Sequence, residues 1–205
     1  IDSELGSERG SVKAVADRLG LAVPVLMDDA RLIGEALGIT HAAEAMVVRT
    51  DGWKLTWQGS VRGLDKSLKR VLAGKKAPRS EQVSNSCEIA FPARDQRAQH
   101  AAISYEHAIA PMLIDKCVTC HRDGGIAPWA MTSHAMVKGF APMIREVVRT
   151  QRMPPWHADP AHGEFANDRS LSRNEKQTLV HWIQAGAPRG AGADPLAEYD
   201  AEWSL

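Results

Sequence analysis

The stretch Cys117-Val118-Thr119-Cys120-His121 decides how this 205-residue chain is interpreted. Its two cysteines lie about one helical turn apart, and a histidine follows the second cysteine directly. Thiols at this spacing form thioethers with the two vinyl groups of a haem, and the adjacent histidine then binds the iron. The motif therefore predicts one covalently bound haem c, with Cys117 and Cys120 as its attachment sites and His121 as an axial ligand.

Two other interpretations of the paired cysteines fit less well. A structural zinc site needs four ligands, and the remaining cysteine, Cys87, has no second Cys or His beside it at the usual spacing. A thioredoxin-type pair follows a buried strand at the start of a helix, whereas Cys117 follows a helix predicted at 105–116, with Ser104 as its cap. We expect Cys87 itself to be a buried, inert thiol.

The second axial ligand is predicted further along the chain. Met153 follows an amphipathic helix predicted at 141–151 and precedes Pro154-Pro155, so its thioether lies on a stiffened loop. A soft, neutral sulfur ligand suits iron in both of its oxidation states. His157 is the alternative ligand, and an open sixth position is a second alternative. The remaining histidines of this half are predicted at the surface or around the ligands: His100, His107, His134, His162 and His181.

Further residues are candidates for contacts with the haem periphery. Arg145, Arg152 and Trp156 carry N–H groups that bind buried propionate carboxylates well. The carbonyl group of Pro128 is the candidate acceptor for the second ring nitrogen of His121. A capping box at Ser172-Arg173-Asn174-Glu175 starts the last predicted helix, which Gly186 and Pro188 end.

Residues 103–190 resemble a mono-haem class I type cytochrome c domain. The resemblance lies in Ile109-Ala110-Pro111-Met112-Leu113 before the cysteine motif, in Arg152-Met153-Pro154-Pro155-Trp156, and in Trp182-Ile183-Gln184-Ala185-Gly186-Ala187-Pro188. It implies an all-α domain in which His121 and Met153 bind the iron. It also implies electron transfer, with no substrate at a six-coordinate iron.

The amino-terminal part alternates predicted helices and strands. Helices are predicted at 12–19, 30–37 and 64–72, and strands at 23–27, 45–48 and 55–58, the last two joined around Asp51-Gly52. Pro24-Val25-Leu26-Met27-Asp28 and Gly38-Ile39-Thr40-His41-Ala42-Ala43-Glu44 resemble the carboxy-terminal part of a thioredoxin-like redoxin domain. The redox cysteines of that family have no counterpart here. We therefore expect an α+β chain, in which an all-α cytochrome c domain follows an incomplete thioredoxin-like α/β domain.

These patterns predict four segments. Residues 1–73 are the partial redoxin domain, 74–102 a linker, 103–190 the cytochrome domain and 191–205 a tail. An incomplete sheet leaves an edge and an apolar face, so we expect an upstream segment of the same protein to complete it. The redoxin part is a candidate docking module.

Composition and cofactor chemistry limit the function. The chain has 25 Lys and Arg against 25 Asp and Glu, which predicts no nucleic-acid binding. No apolar run is long enough to span a bilayer. Haem attachment at such a motif takes place outside the cytoplasm, so we expect the protein in the periplasm or exported. Its expected partner is a periplasmic redox protein, a dehydrogenase or an oxidase. A haem-dependent or thiol-dependent oxidoreductase or peroxidase is the alternative to an electron carrier.

Overall fold

The computed structural model describes residues 9–78, 86–155, 163–166 and 168–200. Within these ranges the fold is α+β, as predicted, with helices and one two-stranded antiparallel sheet. The chain divides into two compact units, one formed by the residues up to Ile33 together with those from Pro92, and one by Gly34–Phe91. This division differs from the predicted boundaries, because the residues before Gly34 belong with the cysteine motif and the predicted linker is divided at Phe91.

The unit Gly34–Phe91 is built on a β-hairpin. Strand β1 (Glu44–Arg49) pairs antiparallel with β2 (Lys54–Ser60), which confirms the predicted strands and their turn. Val47 lies opposite Trp57 in the register, and both side chains are buried. Such a cross-strand pair of an aromatic and a β-branched residue stabilises a small sheet. Helix α3 (Leu64–Leu72) contacts both strands.

One predicted strand is absent. Residues 23–27 have no strand in the structure, and only Met27 makes a single bridge, so that prediction was wrong. Val23 and Leu26 are exposed. An extended segment becomes a strand only when a neighbour pairs with its backbone groups, and among the described residues the sheet contains β1 and β2 alone. The helices predicted on either side are α1 (Arg9–Arg18) and α2 (Leu32–Leu37).

A helical run leads to the cysteine motif. It consists of a π-helical segment Tyr105–Ile109, helix α6 (Ala110–Leu113) and a second π-helical segment Ile114–Val118, and we call this run the cysteine helix. The side chain of Ser104 caps it, as predicted, by accepting a hydrogen bond from the His107 N–H. Pro111 explains the wider turn in the first π-helical segment, because its ring has no N–H and collides with the carbonyl group four residues back.

The core of this unit forms where the cysteine helix meets later helices. Helix α8 (Ala141–Arg149) contacts α9 (Arg173–Gln184), and the predicted capping box of Ser172 and Glu175 is present at the start of α9. Tyr105 stacks on Trp182 of α9, with ring centroids 5.9 Å apart. The largest fully buried side chains of this core are Leu32, Tyr105, Ile109, Leu113, Val137, Leu179, Val180 and Trp182.

Shorter helices complete the described chain. They are α4 (Pro92–Asp95), α5 (Arg97–His100), α7 (His134–Gly139), α10 (Pro195–Glu198) and a 3-10 turn at Val61–Gly63. Helix α10 lies in the predicted tail, yet its Leu196 is buried in the core. Within the described ranges, no helix is long and apolar enough to cross a bilayer.

Candidate functional site

The two motif cysteines lie at the carboxyl end of the cysteine helix. Both thiols are free and half-buried, and Cys117 packs against the apolar core. The N–H groups of Cys120 and His121 both donate to the Cys117 carbonyl oxygen, at 3.1 and 2.9 Å. One tight turn therefore fixes both cysteines and the histidine relative to each other.

The His121 imidazole is buried and oriented by its surroundings. Its Nδ1 atom lies 3.0 Å from the carbonyl oxygen of Trp129, and the Trp129 ring meets it edge-on at 4.9 Å. Trp129 is held in turn by stacking on Phe140 at 4.1 Å. A carbonyl oxygen only accepts, so Nδ1 carries the proton and Nε2 of the neutral ring keeps its lone pair. This is the arrangement that a metal-binding histidine needs.

The acceptor carbonyl belongs to Trp129 and not to the predicted Pro128, which corrects that assignment. Two backbone bonds set the register of this loop, from the Ala127 N–H to the Cys120 oxygen at 3.1 Å and from the Met131 N–H to the His121 oxygen at 2.7 Å. Trp129 lies midway between these two bonds, and therefore faces the imidazole.

A glycine lets the same loop approach the motif closely. A Cβ atom added to Gly125 would lie 2.3 Å from the Cys120 carbonyl oxygen. Real side chains do not tolerate this separation, so the loop needs glycine here.

The Cys117 thiol is poorly suited to start disulfide chemistry. Burial, with smaller effects from Cys120 and nearby carboxylates, raises the pKa of Cys117 to about 12. At neutral pH the thiol is therefore protonated, whereas thiol–disulfide exchange begins with a thiolate.

Met153 lies on the turn that follows α8. The N–H of Gln151 donates to the Val148 oxygen at 3.2 Å and that of Arg152 to the Val147 oxygen at 2.8 Å, which is the bond pair of a Schellman turn. The Met153 side chain is 38% exposed. The predicted alternative ligand, His157, lies outside the described residues.

The three residues predicted to contact the haem propionates differ in their surroundings. Arg152 pairs with Glu146 and bonds Thr150 Oγ1 at 3.3 Å, so its guanidinium already has local partners. Arg145 is half-buried on α8. Trp156 lies outside the described residues.

Three of the histidines expected at the surface or around the ligands are buried. His100 and His181 stack at 4.1 Å with nearly parallel rings, and His134 Nε2 donates to the Ala187 oxygen at 2.9 Å. His107 is exposed, and His162 lies outside the described residues. Cys87 is exposed, so the expectation that it is buried was wrong.

The described residues around the cysteine motif fit the attachment of a covalently held haem. Two free thiols one turn apart adjoin a buried imidazole whose Nε2 lone pair is left for a metal. Within the part of the chain that the structure describes, no group of three or more His, Cys, Asp or Glu is arranged to hold a metal ion.

The role of the Trp129 carbonyl group was not predicted from the sequence. Every residue has a carbonyl group, and a one-residue shift in loop register changes which one faces the imidazole.

No family model, no curated protein and no solved structure matches the chain.

Proposed function

We propose that this protein is an electron-transfer protein that carries one haem c. Cys117 and Cys120 form its thioethers, and His121 and Met153 are its axial ligands. The observation that carries the proposal is the bond between His121 Nδ1 and the Trp129 oxygen beside two free thiols. When bound, the haem supplies an iron that cycles between two oxidation states.

The residues of the chain have separate tasks in this proposal. Trp129 holds His121 in one tautomer and one orientation, and hydrogen bonding at Nδ1 makes the ring a stronger base toward iron. Gly125 keeps the loop against the cysteine turn. Met153 supplies a neutral thioether from a loop that leaves it partly exposed. With both axial positions filled, no position is left for a substrate.

The proposal includes the domain type and the setting. Residues 103–190 are proposed as a class I type cytochrome c domain, and residues 1–73 as a partial thioredoxin-like domain that docks a partner. The proposed setting is the periplasm or the cell exterior, and the proposed partner is another redox protein, a dehydrogenase or an oxidase. A reaction that begins at the Cys117 thiolate is disfavoured, because burial raises the pKa of Cys117 to about 12.

The test compares absorption spectra of oxidised and reduced protein for the wild type, Met153→Ala and Met143→Ala. Met143 is a matched control, because it is an exposed methionine on α8. We expect the ligand-field signature of a bound thioether to disappear in Met153→Ala and to persist in Met143→Ala. An unchanged spectrum in Met153→Ala would refute Met153 as the ligand.

A further inference from the structure

A short segment before Gly34 is built into the same unit as the cysteine motif. Ala30 and Leu32 are 4% and 2% exposed and belong to the core cluster that includes Leu113 and Val148. Asp28, which is buried, accepts a hydrogen bond from the Ile33 N–H at 3.1 Å. The segment 28–33 is therefore a fixed structural element, and its side chains have defined positions.

Asp29 of this segment joins two parts of the unit that are distant in sequence. Its carboxylate accepts hydrogen bonds from Lys176 Nζ on α9 at 3.1 and 3.4 Å, and from Gln151 Nε2 at 3.2 Å. The Lys176 side chain is only 16% exposed. Gln177, next to Lys176, donates to the Ala30 oxygen at 2.9 Å and holds the segment against α9.

Gln151 has a backbone conformation that requires support. It is the first residue beyond the cap of the Schellman turn after α8, and its φ is 55°. This left-handed conformation is disfavoured for residues other than glycine and asparagine, and glycine is the usual residue at this position. The side-chain bond to Asp29 offsets part of that cost. Met153 lies two residues further along, on the chain that this turn directs.

We propose that Asp29 is a positioning residue for Met153. It acts through Gln151, by holding the turn that presents the methionine thioether. This inference rests on the proposed function and adds to it a role for the amino-terminal segment. Without Asp29 the turn opens more often, and an external ligand competes better with the methionine.

The test measures binding of imidazole to the oxidised haem protein by absorption titration. Loss of one hydrogen bond to a half-exposed carboxylate shifts the opening equilibrium about fivefold, equal to ~1 kcal/mol. We therefore expect Asp29→Ala to raise the apparent imidazole affinity about fivefold. The control is Asp17→Ala, which removes an exposed ion pair with Lys13 in the same amino-terminal part and should leave the affinity unchanged.

A double-mutant cycle separates positioning from general stability. Gln151→Gly removes the side-chain link and also removes the conformational cost of a left-handed residue. We expect Asp29→Ala to change the imidazole affinity less than twofold in the Gln151→Gly background. If Asp29→Ala changes the imidazole affinity equally in both backgrounds, Asp29 acts through Lys176 alone and the proposal is overturned. A change below twofold in the wild-type background would also overturn it.

A second variant and a reference protein complete the experiment. Asp29→Asn keeps an oxygen acceptor for Gln151 and removes the charge that pairs with Lys176, so we expect an affinity closer to wild type than that of Asp29→Ala. Met153→Ala must bind imidazole more tightly than all of these proteins. If Met153→Ala binds imidazole like wild type, Met153 is refuted as the iron ligand. If Met153→Ala binds imidazole more tightly but Asp29→Ala does not, only the positioning role of Asp29 is refuted.

Discussion

Substituting Tyr105 by Phe tests how the predicted tail is joined to the core. The Tyr105 hydroxyl donates to Asp194 Oδ1 at 2.5 Å, and Tyr105 is 1% exposed. The same carboxylate accepts from the backbone N–H groups of His134 at 2.7 Å and Leu196 at 3.3 Å. This cluster connects the start of the cysteine helix to α7 and α10. Phenylalanine keeps the ring packing and removes only the hydroxyl.

The magnitude follows from the partners that remain. A hydrogen bond to a charged group contributes about 1.5–3 kcal/mol. Asp194 is only half-buried and keeps two backbone donors when the hydroxyl is removed, so we use the lower end of this energy range. We expect Tyr105→Phe to lower the free energy of unfolding by about 1.5 kcal/mol. For a chain of this length, that loss lowers the melting temperature by roughly 3–6 °C.

The pH dependence supplies a second signature. Burial tends to raise the pKa of Asp194, but the Tyr105 hydroxyl and the two backbone donors outweigh it, so the pKa is lowered in the folded protein. The stability that Asp194 contributes is therefore present above its unfolded pKa, about 4, and is lost as the pH falls through the lower folded pKa. The difference in free energy of unfolding between wild type and Tyr105→Phe should therefore have its full value at pH 7 and should become smaller at acidic pH.

The assay is urea unfolding followed by circular dichroism at pH 7 and at acidic pH. Tyr199→Phe is the control, because Tyr199 is 46% exposed, and it should change the free energy of unfolding by less than about 0.5 kcal/mol. A loss below about 0.5 kcal/mol in Tyr105→Phe, or a loss that does not depend on pH, would show that the bond between Tyr105 and Asp194 does not stabilise the fold.

Two further substitutions test the loop and the segment before Gly34. Gly125→Ala places a Cβ atom 2.3 Å from the carbonyl oxygen of Cys120. We expect it to lower the free energy of unfolding by at least about 2 kcal/mol and to reduce the amount of covalently bound haem per chain. The control is Gly139→Ala, where a Cβ atom meets nothing within 4 Å, and it should change neither quantity. Leu32→Ala removes a side chain that is 2% exposed, and we expect it to lower the free energy of unfolding by about 2–5 kcal/mol. The control is Leu19→Ala, at a residue 63% exposed, which should lower it by less than about 0.5 kcal/mol. Equal losses in the two variants would show that the segment before Gly34 is not part of the core.

Local sequence patterns predicted the elements that depend on neighbouring residues. The capping box at Ser172, the cap at Ser104 and the hairpin around Asp51-Gly52 are all present. Each of these features depends on residues within a few positions of each other, where spacing determines which groups meet.

Features that depend on distant partners were not predictable in this way. The apolar segment at 23–27 has the composition of a strand, but a strand also needs a neighbour, which periodicity does not show. The contacts of Asp29 with Lys176 and of Tyr105 with Asp194 join residues far apart in sequence. The Trp129 carbonyl is a backbone group, which every residue type has, so no side-chain pattern indicates it.

The proposed function depends on a haem bound covalently through the two motif cysteines. Intact-protein mass spectrometry can detect it in the wild type and in the double variant Cys117→Ala, Cys120→Ala, both expressed with a haem-attachment system. We expect the added mass of one haem, retained after denaturation, in the wild type and none in the double variant. A wild-type mass equal to that of the polypeptide alone would show that no haem is attached and would overturn the proposal.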